Sequence, residues 1–178
     1  SGGIYDHIGG GFHRYSVDNQ WLVPHFEKMG YDNGLLCGLY ASAATLYDNE
    51  HYRTVASECA DFMIRFMMED DLFYSASDAD TQGEEGKYFV YSYDEIIGAM
   101  RSMGIASVED AARIVGAAPD GNFDGHCIIR LESDERPEWF GALRDELQSL
   151  RSSRDYPFID RKIITAWNAM VIRGMLIL

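Results

Sequence analysis

The sequence predicts a mainly α-helical chain built of αα-hairpins, with little strand. Apolar residues recur at helical spacing along several long stretches, and the first two of these are joined by only a few residues. Aromatic-rich runs of strand character are short and few.

Each element has its own signal. From Phe26 the positions Phe26, Met29, Leu36, Tyr40, Ala43 and Tyr47 follow steps of three, seven, four, three and four, a helical stripe. Pro24 precedes it, where a fixed φ suits a first turn. Asn33 falls on the stripe, so a polar side chain is expected to face inward. Asp48 and Asn49 end this helix. A second begins near His51 with Val55, Cys59, Phe62 and Phe66 on one face, and the pair should pack antiparallel. Residues 72–76 and 87–93 read as the strands of one small β-hairpin with a loop at 77–86. Another helix starts at Tyr93 and runs to about Met103. Ser107 is placed to cap a further one, with Glu109 and Asp110 in its first turn. Residues 116–125 are turn-rich, and 126–131 read as a strand. Pro137 opens a helix to about Ser152 with Trp139, Phe140, Leu143, Leu147 and Leu150 on its stripe. Residues 163–178 are almost wholly apolar, the pattern of a buried helix, and too short for a typical membrane span.

Composition sets the outer limits. With 178 residues, 47% of them apolar, the chain can bury one core. A formal net charge of −14 argues against nucleic acid and against anionic membranes as partners. No transmembrane run or signal-peptide layout is present, and a cytoplasmic location is expected. Cys37, Cys59 and Cys127 are widely spaced, without a CxxC pair, and read as buried thiols; no metal site and no cofactor is implied.

Polar and aromatic chemistry crowds into residues 9–33, GGGFHRYSVDNQWLVPHFEKMGYDN. Irregular segments of that length are usually functional or disordered, and the aromatics with mixed charge argue against disorder. GGGFHRYSVD and WLVPHFEKMGYDN, then DADTQGEEGKYFVYSYDEI at 78–96 and DRKIITAWNAM at 160–170, closely resemble the family of spermatogenesis-associated, thioredoxin-domain-containing proteins. The resemblance spans nearly the whole chain. It implies that residues 1–178 form a single fragment of a six-hairpin-glycosidase-like (α/α)6 toroid. On that reading the thioredoxin-like domain of the full-length chain, the first toroid helix and the later hairpins lie outside it. An incomplete toroid is expected to self-associate through its unfinished faces. Gly30 and Gly34 depart from the family pattern, which favours better helix formers there. Each glycine costs about 0.5–1 kcal/mol in a helix and allows close packing or a kink. Gln82 stands where the family often has an acid.

Three clusters carry the candidate chemistry. His25, Glu27 and Asp32 lie at the predicted helix start, with His25 and Asp32 seven apart and able to share a face; His13, Arg14, Trp21 and Tyr31 lie around them. The resemblance places this cluster at the toroid cavity; the alternative is a structural network satisfying a long loop. Asp78, Asp80, Glu84 and Glu85 crowd the hairpin loop. DADTQG matches the opening of a calcium loop, but Phe89 at the twelfth position cannot ligate, which leaves a solvated acidic loop or a ligand-facing one. Lys162, Trp167 and Asn168 stand at the start of the last helix, where Trp167 suits a sugar face and Asn168 its hydroxyls, or where both serve the core.

Two functions of different class fit. One is a carbohydrate-binding or carbohydrate-active toroid with a sugar ligand, resembling sugar 2-epimerases and six-hairpin glycosidases. There His25, Glu27, Asp32, Asp78 and Asp80 are the acid/base candidates. The other is a non-catalytic scaffold that accompanies a thioredoxin-like redox domain. Convergence of the three clusters on one surface favours the first.

Overall fold

A computed structural model describes residues 2–178. Among them six helices dominate: α1 (Gly30–Tyr47), α2 (Glu50–Phe66), α3 (Tyr93–Ser102), α4 (Val108–Ile114), α5 (Phe140–Ser152) and α6 (Thr165–Met175). The mainly helical class expected from the apolar stripes is what the chain adopts.

α1 and α2 form the expected αα-hairpin. Asp48 takes the left-handed conformation at the C-cap of α1, and the Asn49 side chain caps α2 by accepting from the Tyr52 N–H. Ser92 and Glu95 close a reciprocal capping box on α3. At α4 the position of Ser107 is as expected, but its hydroxyl makes no capping bond.

The strands differ from expectation. In place of one hairpin there are three two-stranded pairs: β1 (Tyr15–Ser16) with β2 (Pro24–His25), β4 (Met68–Glu69) with β5 (Leu72–Phe73), and β7 (Asp80–Thr81) with β8 (Glu84–Glu85). A three-stranded antiparallel sheet joins β3 (Lys28–Met29), β6 (Ala76–Ser77) and β9 (Ile159–Asp160). Residues 72–76, read as one strand, divide between β5, which turns back on β4 across the left-handed Asp70 and Asp71, and β6, which pairs with β3 and β9, while a left-handed turn at Gln82 and Gly83 closes the β7–β8 pair. Residues 87–93 do not return as a partner of 72–76, and only Tyr91 bridges, to Cys127. The strand read at 126–131 reduces to that bridge and a local turn.

The first helix also begins later than its stripe. Phe26 and Met29 are buried as expected, yet Pro24 and His25 pair as a strand and α1 starts only at Gly30. His25 therefore does not share a helical face with Asp32. Here the Lys28–Met29 pairing with Ser77 and Ala76 holds the backbone extended against the local helical pattern.

α1 packs against both α2 and α6. Tyr31 meets Trp167, Gly34 lies against Val171, and Gly38 lies against Gly174 and Ile177, so α1 and α6 run in the same direction. The strands β3 and β9 that precede them agree, since both are antiparallel to β6. Glycine makes this approach possible: a Cβ on Gly34 would stand 2.6 Å from the Val171 Cα, and one on Gly174 would stand 2.0 Å from the Gly34 carbonyl oxygen. Close packing, not a kink, is the role of Gly34. The α6 stretch is not buried all round: Asn168, Val171 and Gly174 face inward, while Ile172, Leu176 and Ile177 are exposed.

A second core lies among α3, α4 and α5, around Met100, Phe140, Leu143 and Leu147. Two buried charge clusters tie α5 and the segment before it to the rest. Arg151 and Lys28 both bind Asp6, each at 2.8 Å, and Lys28 also donates to the Gly10 carbonyl. Glu58 of α2 takes a bidentate pair from Arg136 at 2.6 and 2.7 Å, with Arg144 and the Tyr5 hydroxyl on the same carboxylate.

Candidate functional site

The β3–β6–β9 sheet draws the three motif stretches together. Met29 pairs with Ala76 and Ala76 with Asp160, so the segments carrying His25 to Asp32, Asp78 to Glu85 and Lys162 to Asn168 all leave from neighbouring strands.

From there a row of side chains runs across the surface. Register sets Tyr15 opposite His25, and their rings stack at 5.0 Å. The His25 Nδ1 contacts Glu85 Oε1 at 2.7 Å, and its Nε2 stands 3.7 Å from Glu27 Oε2. That same Glu27 oxygen accepts from Arg14 at 2.8 Å. The Glu27 hydrogen bond and charge raise the Arg14 pKa further, so the guanidinium stays charged. Asp32 follows at the start of α1. Partial burial pushes its carboxyl above the usual range, with the Arg14 charge and a Tyr31 hydrogen bond opposing the rise. Tyr31 meets Trp167 edge to face at 4.7 Å, which brings in the third stretch. The row thus alternates acceptors, a donor fork, an imidazole and aromatic faces.

The remaining sequence-predicted residues lie elsewhere or are spoken for. His13 is buried between Phe26 and Phe89, bonded to the Phe26 carbonyl. Burial, reinforced by the Lys28 charge, pushes its pKa down to about 3, so it is a neutral core imidazole. Asn168 spends its amide on both backbone groups of Phe73 and so fastens α6 to β5. Lys162 is exposed and pairs with Asp160 at 2.8 Å. Trp21 is exposed at the β1–β2 turn with φ of 58°. Asp78 accepts from the neighbouring Ala79 N–H. Asp80 pairs across the hairpin with Glu85, and Glu84 binds Lys87. A depression of about 530 Å³ beside the row is lined by Glu84 and Glu85 but by no other member of the predicted set. Among the described residues no three or more His, Cys, Asp or Glu side chains are arranged to hold a metal ion.

Sequence reading passed over Asp6, Glu58 and Arg151, and gave no role to Lys28 within the crowded 9–33 stretch. A signal existed: Glu58 lies between Val55 and Phe62 on the α2 stripe, and Arg151 extends the Phe140, Leu143, Leu147 stripe by one turn. A charge on an apolar stripe marks a buried ion pair.

The fold and row define the chain as a mainly helical polypeptide of αα-hairpins with a polar, aromatic strip beside α1 and α6. It is similar to human spermatogenesis-associated protein 20, at 32% identity over 98% of the chain and 27% of that protein. It is also similar to the mouse protein of the same name, at 30% identity with 98% and 27% covered. An uncharacterized protein of Caenorhabditis elegans is 30% identical, with 98% and 29% covered. The chain thus spans little more than a quarter of the length of these relatives. No protein-family model matches it. No described helix is long and apolar enough to cross a membrane.

Proposed function

We propose that this chain is part of an (α/α) toroid whose polar row binds carbohydrate, with His25, Glu27, Asp32 and Glu85 as its acid/base and acceptor groups. The observation that carries the reading is the contact chain from Glu85 through His25, Glu27 and Arg14 to Asp32, Tyr31 and Trp167, which joins stretches 60 or more residues apart. Sugar hydroxyls call for several donors and acceptors around an aromatic platform, and this row offers both. The parallel α1 and α6 support the toroid, because hairpins repeated around an axis set their first helices side by side in one direction.

The second reading is a non-catalytic scaffold beside a thioredoxin-like domain. It is favoured by the exposed Leu35, Leu39 and Ile172 on α1 and α6 and by the openness of the row to solvent. A glycan and sugar-phosphate binding screen on the full-length protein separates the two. On the carbohydrate reading, Asp32→Asn and Glu85→Gln weaken binding or turnover by about tenfold or more, the scale of a lost charged hydrogen bond. Their melting temperatures stay close to that of the parent. If no sugar binds, or if both substitutions merely unfold the protein, the row is structural.

A further inference from the structure

A small cavity of about 10 Å³ lies where α5 meets the segment that leads into β9. Gln148 and Arg151 of α5, Tyr156 of that segment and Phe66 at the end of α2 are among its walls. The volume is at the lower limit for one water molecule and far below the range of organic-ligand sites.

Three polar atoms of these walls are shut off from solvent and have no hydrogen-bond partner in the protein: Arg151 Nε, Gln148 Oε1 and the Tyr156 hydroxyl. All three belong to side chains that are otherwise fixed. Arg151 is 2% exposed, and its terminal nitrogens are held by Asp6 and by the Phe89 carbonyl. The Gln148 amide hydrogen-bonds the Tyr88 hydroxyl. The Tyr156 ring stacks on Phe66 at 5.1 Å and meets Tyr88 edge to face at 4.8 Å. The Ser77 hydroxyl interacts with the Tyr156 oxygen without reaching hydrogen-bond geometry. Buried polar groups are bonded in the great majority of cases, so three unpartnered atoms on the walls of one cavity call for a common partner.

We infer that this cavity is a binding site for one structural water molecule. The water accepts from the Arg151 Nε–H, donates to Gln148 Oε1 and bonds the Tyr156 hydroxyl. The three groups are complementary: Nε–H only donates, Oε1 only accepts, and a hydroxyl does either. About three bonds is the usual number for a buried water. A cation in the same place would meet Arg151 and Lys28, and an anion would meet Asp6 and the Gln148 oxygen. The water completes the bonding of Arg151 and joins α5 to the approach of β9, the strand that pairs with β6 in the sheet beneath the candidate row. It shares no residue with that row and does not depend on the carbohydrate reading.

The test is a crystal structure of the full-length protein, in which density is expected within about 3 Å of all three atoms. Magnetic relaxation dispersion of isotopically labelled water supplies the second measurement, because it counts long-lived internal waters in solution. Gln148→Met replaces the amide with an apolar chain of similar length and should lose one such water relative to the parent. Gln148→Leu repeats the comparison should the methionine variant fail to fold. Crystals grown with bromide in place of chloride identify an anion by its anomalous peak. The inference is overturned if no density appears at the position, if bromide occupies it, or if parent and folded variant hold the same number of long-lived waters.

Discussion

His13 shows how a residue type that suggests chemistry can serve the core. Its imidazole is enclosed by Phe26 and Phe89 and its Nδ1–H donates to the Phe26 carbonyl. Burial holds its pKa at about 3, well below the value near 6.5 of an unfolded chain. As the pH falls below about 6.5 the unfolded state takes up a proton that the folded state refuses, so stability falls on acidification and the loss levels off only near pH 3. A single such group contributes a slope of up to about 1.4 kcal/mol per pH unit. Urea unfolding between pH 7 and 4.5 should show that slope, and His13→Gln should flatten it by about that amount even though it lowers stability at pH 7. An unchanged slope would mean that the imidazole is protonated in the fold. In the sequence His13 was indistinguishable from His25, because both sit in one polar loop and only tertiary packing separates a core ring from a surface one. Glu58 and Arg151 were more legible, since both interrupt an apolar stripe.

Periodicity revealed α1, α2 and α5, but at the start of α1 it misled by four residues. The stripe from Phe26 is real as a burial pattern, because Phe26 and Met29 are both buried. The pattern cannot report that Lys28 and Met29 pair with a strand almost fifty residues later. The same long-range pairing broke the predicted single hairpin into pieces. The glycines of α1 were visible as an oddity, and their cause needed the partner helix. Gly34 and Gly174 let the α1 and α6 backbones approach where any Cβ would collide with main-chain atoms. Gly34→Ala and Gly174→Ala should therefore each destabilise by about 1–3 kcal/mol, the cost of overpacking, although alanine is the better helix former. Gly98, on α3 with open space around its Cβ position, should gain a few tenths to about 1 kcal/mol from the same change. Chemical denaturation of the three variants checks the contrast, and a stabilised Gly34→Ala would show that the two helices are not in this contact.

The chain as a whole leaves one face of the α1–α6 pair uncovered. Leu35, Leu39, Met170 and Ile177 line a groove of about 240 Å³ along it, and Leu39 is 62% exposed. Ile172 on α6 and Leu176 at its C-cap are exposed as well. Isolated exposed leucines are ordinary on a protein surface, but contiguous apolar patches beyond a few hundred Å² tend to find a partner. The charge of −14 opposes association over the rest of the surface, since like-charged copies repel, so contact between copies should concentrate where the surface is apolar. The 178-residue chain on its own should therefore self-associate through this face, and more strongly as salt screens the repulsion. Sedimentation velocity at about 0.05 and 0.5 M salt measures both effects, with the Debye length shrinking severalfold between them. Leu39→Lys, placed on the exposed side of α1, should return the chain to a monomer without lowering its melting temperature, because the leucine contributes little to the core. A chain that is monomeric at both salt concentrations would mean that the face is too small or too interrupted, by Arg173 above all, to hold a second copy.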